Sequence, residues 1–63
     1  MNVLSAAERE ASFWLRRAAM LKKEAAIYRA QGDDMIAAIF ESAVTGAEKM
    51  ATELRNASKE TRR

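Results

Sequence analysis

Two stretches of the chain repeat apolar residues at alternating spacings of three and four, and one glycine separates them. The first runs Leu4, Ala7, Ala11, Trp14, Ala18, Leu21, Ala25, Tyr28, and the second Ile36, Phe40, Ala43, Ala47, Met50, Leu54, Ala57. This is the seam rhythm of helices packed at a shallow angle. Ser5-Ala6-Ala7-Glu8 has the form of a capping box, in which the serine side chain accepts from a backbone N–H and the glutamate reaches back. Gly32 suits the left-handed position just past a helix end, and Asp33 can open the next helix. The sequence therefore predicts helix 1 over about 5–31 and helix 2 over about 34–57, with SKETRR, 58–63, as a frayed basic tail. Thr45-Gly46-Ala47-Glu48 could form a second capping box that would split helix 2. The apolar phase continues through it, which favours one uninterrupted helix.

Folding at Gly32 sets the seams against each other: Tyr28 with Ile36, Ala25 with Phe40, Leu21 with Ala43, Ala18 with Ala47, Trp14 with Met50, Ala11 with Leu54. Most layers oppose a small residue to a large one, which lets the helices approach closely. An antiparallel hairpin is the expected all-α fold, a single domain over 1–63. A chain of 63 residues struggles to bury enough apolar area to offset its ordering entropy. It has no cysteine for a disulfide and no histidine to help hold a structural zinc, so oligomerisation is the remaining staple. Helix 2 also shows Ile39 on one flank of its seam and Ala37, Val44 and Ala51 on the other, more than one partner helix can cover. Two hairpins packed as a four-helix bundle would cover it, with Trp14, Leu21, Tyr28, Ile36, Ile39, Phe40, Val44, Met50 and Leu54 as core and dimer contacts. The competing expectation is a lone hairpin completed by a different protein. Gly46, at the edge of this face, would admit a neighbouring backbone or the Trp14 ring, or is a tolerated surface glycine.

Not every large apolar residue of helix 1 belongs to the seam. Phe13, Met20 and Ile27 fall at about a right angle to Trp14 and Leu21, beside Arg9, Arg16 and Lys23, with Arg17 between the two lines. Arg9, Phe13, Arg16, Arg17, Met20, Lys23 and Ile27 thus form an interleaved basic and apolar ridge. It suits three uses: a dimer interface whose cations form a solvated rim, a docking surface for an acidic protein, or a nucleic-acid contact. Eleven Lys and Arg against nine Asp and Glu give a formal charge of +2, weak for a duplex binder. Glu8, Glu10, Glu24 and Glu60 interrupt the basic groups, a pattern that more often solubilises a surface.

Two heptad-patterned helices with alternating small and large layers resemble Rop, the plasmid repressor-of-primer family. Phe13 matches that family's central phenylalanine, Arg9 or Glu10 and Arg17 its flanking polar positions, and Ala38-Ile39-Phe40-Glu41-Ser42 resembles a stretch of its second helix. Glu24 stands where the family carries a lysine. The resemblance implies an antiparallel four-helix bundle of two hairpins and binding of paired RNA loops by the first helices; architecture alone is a poor guide to function.

Catalysis is not expected. There is no histidine or cysteine to act as base, nucleophile or metal ligand, Ser5, Ser12 and Ser42 lack a partner base, and Glu41 and Glu48 read as solvated surface. No cofactor is implied. No apolar run approaches the roughly 18 residues of a membrane span, and MNVLSAAERE does not read as a signal peptide, so the expectation is a soluble cytoplasmic protein. From the residues alone the chain reads as a small non-catalytic regulatory or inhibitory protein, a homodimer that grips a protein partner by the helix 1 ridge. Binding of structured RNA and a purely structural self-assembly module are the alternatives.

Overall fold

The computed structural model describes residues 5–61, with side-chain surroundings as far as Lys59. Two helices, α1 (Ala6–Ala30) and α2 (Asp34–Thr61), pack against each other as an antiparallel hairpin. Leu4 of the expected first seam, and Arg62 and Arg63 of the tail, lie outside the described residues.

The capping box at the start of α1 is complete. Glu8 N–H donates to Ser5 Oγ and Ser5 N–H donates to Glu8 Oε1, each at 3.1 Å. At the other end Gly32 takes φ +84°, a conformation in which a Cβ would crowd the following carbonyl. Asp33 N–H reaches back to the Tyr28 carbonyl at 2.9 Å and Gly32 N–H to that of Arg29 at 3.1 Å, the paired bonds of a Schellman motif. The Asp33 carbonyl then accepts from Ala37 N–H at 3.0 Å and starts α2. α2 passes through Gly46 without interruption: Thr45 Oγ1 donates to the Glu41 carbonyl at 3.3 Å instead of capping a new helix. It also runs a turn beyond Ala57. Ser58, expected in the frayed tail, is buried, with its Oγ 3.1 Å from that of Ser5, which ties the open ends of the hairpin.

The core corrects the expected phase of α2. Buried hydrophobic residues among those described are Ala11, Ala18 and Ala25 of α1 and Ala37, Val44, Ala47 and Ala51 of α2. The α2 seam is therefore Ala37, Phe40, Val44, Ala47, Ala51, Leu54 and Ser58, rotated by one residue at alternate positions from the seam through Ile36, Ala43, Met50 and Ala57. Ile36 and Met50 stand off it and are exposed. The physical reason lies on α1, whose seam already carries Trp14, Leu21 and Tyr28. Ile36 and Met50 in the seam would force the axes apart, whereas Ala37 and Ala51 leave room. Trp14 and Leu21 pack on a cluster of Ala18, Val44 and Ala47, and the Tyr28 ring stacks on Phe40 with centroids 5.4 Å apart. Gly46 does not receive the Trp14 ring: a Cβ built there would meet nothing within 4 Å.

Candidate docking face

The rotated seam decides what each side of the hairpin shows. Residues that follow the seam positions Leu21, Tyr28, Phe40 and Ala47 lie on one broad face, and they are charged. Arg29 donates from Nη2 to Glu41 Oε1 at 2.7 Å and from Nε to Oε2 at 3.1 Å, and Lys22 Nζ lies 3.3 Å from Glu48 Oε2. A further bond from Arg29 Nη1 to Asp34 Oδ1 at 3.2 Å ties the start of α2 to the end of α1. The bonds to Glu41, its charge and that of Asp34 hold the Arg29 guanidinium above its ordinary pKa. Sequence reasoning missed these pairs: with the seam one residue out, Glu41 and Glu48 appeared to face solvent alone.

The opposite broad face carries most of the exposed large apolar side chains. Residues that precede the seam positions Ala37, Val44 and Ala51 are Ile36, Ala43 and Met50, with Ile39 and Gly46 beyond them. On α1 the equivalent row is Glu10, Arg17 and Glu24, and beyond it stand Phe13, Met20 and Ile27. Phe13 is 47% exposed, Met20 67%, Ile27 52% and Ile39 65%. Of the seven large hydrophobic residues exposed among those described, only Met35, by the turn, lies away from this face. All three ion pairs given above are on the other side.

Phe13 is anchored from below. Its ring meets Trp14 edge-on, with centroids 5.5 Å apart, so the indole that packs on the core also fixes the ridge above it. Between ridge and seam lies an open groove of about 370 Å³ lined by Phe13, Arg16, Arg17, Met20, Leu21 and Glu24. The structure thus brings Phe13, Arg16, Arg17 and Met20 to one concavity, with Ile27 a turn or two along the same row. Arg9 and Lys23 are exposed on the outer row with Arg16. Of the residues expected at the core or dimer contact, Trp14, Leu21, Tyr28, Phe40, Val44 and Leu54 line the hairpin seam, while Ile36, Ile39 and Met50 join the apolar face.

Among the described residues no group of three or more His, Cys, Asp or Glu could hold a metal ion, and no helix is long and apolar enough to cross a membrane. Scans against family models, curated proteins and solved structures gave no match to this chain. The resemblance to Rop rests on the residues quoted for it.

Proposed function

We propose that the chain is a small non-catalytic docking protein, regulatory or inhibitory in effect, which holds another protein on its apolar face, and that its hairpins pair as a four-helix bundle. The supporting observation is the segregation of the two broad faces: ion pairs on one, Phe13, Met20, Ile27, Ile36, Ile39 and Met50 on the other. Contiguous apolar surface rimmed by polar groups marks an interaction site. An aromatic anchor beside arginines is the composition of binding hot spots, and Arg16 and Arg17 at the groove favour acidic groups on whatever fills it.

The test separates binding from folding. Phe13→Ala combined with Met20→Ala removes side chains that face solvent, so the helical signal and unfolding free energy of the isolated hairpin should change by no more than about 0.5 kcal/mol per site. Association with any protein through this face should be lost. Equal loss of both would return these residues to the core. A second reading, binding of structured RNA, is favoured by the exposed row of Arg9, Arg16 and Lys23. It requires retention of RNA that falls steeply with salt, and no retention at low salt removes it.

A further inference from the structure

We infer that the groove on α1 is a binding site for a medium-chain alkyl monocarboxylate. The carboxylate sits between Arg16 and Arg17, and the alkyl chain runs over Met20 and Leu21 toward Glu24. The inference goes beyond the docking reading and is tested apart from it, because the readout needs only this chain and a small molecule.

The shape of the site comes from one helix. All six lining residues, Phe13, Arg16, Arg17, Met20, Leu21 and Glu24, belong to α1, so the groove follows its axis. From Phe13 to Glu24 the rise is about 16 Å, at roughly 1.5 Å per residue. A volume of about 370 Å³ lies near the lower end of the range of small-molecule sites, roughly 300–1,000 Å³. So little space spread over that length suits an unbranched chain better than a fused ring system. Two of the walls are preformed: Trp14 holds the Phe13 ring edge-on, and Leu21 packs on the core cluster. Met20, which is exposed, is the adaptable wall, an unbranched thioether able to fold over a chain.

Charge gives the site its polarity. On the helical period Phe13 and Met20 share one row, with Arg16 on one side of it and Arg17 on the other, so the two arginines flank the gap between them. Among the described residues neither arginine is in an ion pair with its own chain, whereas Arg29 and Lys22 on the other broad face are. Guanidinium groups present paired N–H donors that match a carboxylate. Beyond the gap Met20 and Leu21 border an apolar lane, and Glu24, also outside the ion pairs, falls between their two rows one turn on. Along the axis Glu24 stands about 10 Å from Arg17. A ligand charged at one end only satisfies both termini of this lane. A dicarboxylate of the same length would set its second anion against Glu24, and an alcohol would leave both arginines without a partner.

The experiment is isothermal titration calorimetry of the whole chain with monomeric octanoate, with circular dichroism to follow helicity. Trp14, the one tryptophan of the chain, reports through its contact with Phe13 by fluorescence. One octanoate should bind per chain, saturably, and change the Trp14 emission. Hexanoate should bind about fourfold more weakly, since a methylene covered on one side contributes about twofold, half the transfer free energy of a fully buried one. Octanol and octanedioate should each bind at least tenfold more weakly than octanoate. Arg16→Gln/Arg17→Gln should weaken octanoate tenfold or more at unchanged helicity, because glutamine and arginine have similar helix propensities. Glu24→Gln should bring octanedioate to within a few-fold of octanoate. The inference is overturned by an absence of saturable octanoate binding, by equal affinity for octanol, or by a double arginine variant that binds as the native chain does. Transfer of the chain onto phosphatidylglycerol vesicles without binding of free octanoate would also overturn it, and would assign the arginines to a lipid surface. None of these outcomes depends on whether a protein docks on the same face.

Discussion

At the scale of single residues, two glycines in one chain have opposite status. Gly32 is required by its backbone: at φ +84° the turn places two N–H groups on the last carbonyls of α1. Gly32→Ala should cost the hairpin about 1–2 kcal/mol, the strain of an L residue held left-handed, and chemical denaturation would measure it. Gly46 is helical, and a Cβ built there would meet nothing within 4 Å; alanine would be favoured there by about 1 kcal/mol from helix propensity alone. The indole of Trp14 joins the two kinds of site, since one side packs on the core cluster and its edge carries Phe13. Trp14→Ala should therefore lower the unfolding free energy by about 2 kcal/mol or more, against near zero for Phe13→Ala, a contrast visible in paired denaturation curves.

Between elements, the phase of α2 is the fact on which the faces depend, and it can be tested directly. Ala51→Leu should overpack the seam opposite Trp14 and destabilise the hairpin by about 1–3 kcal/mol. Met50→Ala, although it deletes a larger side chain, should cost less than about 1 kcal/mol in dilute solution, because Met50 is exposed. The reverse order would restore the seam through Ile36 and Met50. The two helices, their caps and the turn were legible in the sequence because each has a local cause: a capping box, a left-handed glycine, an unbroken heptad. The rotation of α2 was not. Both Ile36, Ala43, Met50, Ala57 and Ala37, Val44, Ala51, Ser58 keep the heptad with Phe40, Ala47 and Leu54, and preferring large apolar residues for the seam picks the wrong set. Side-chain volume across the interface decides between them, and that belongs to the pair of helices. The ridge of Phe13, Met20 and Ile27 was legible because α1 keeps its expected phase; the ion pairs of Lys22 and Arg29 were not, because they depend on that of α2.

The whole molecule is a slab, 48 × 20 × 10 Å, exposing 5025 Å² where a compact monomer of 7.0 kDa would expose about 4,000 Å². Among the described residues the buried hydrophobic ones are six alanines and one valine, and no large side chain is fully enclosed. Alanine burial removes little apolar area per residue, so a hairpin alone should be marginal. Pairing of the hairpins, as proposed, would bury large side chains and tie stability to chain concentration. The thermal midpoint should accordingly rise with chain concentration, and most of that rise should vanish in Phe13→Ala/Met20→Ala while the dilute-limit midpoint stays where it was. A midpoint independent of concentration would mean that the alanine seam suffices. The exposed face would then have to find its partner in another protein, with no contribution from self-pairing to the stability of the free chain.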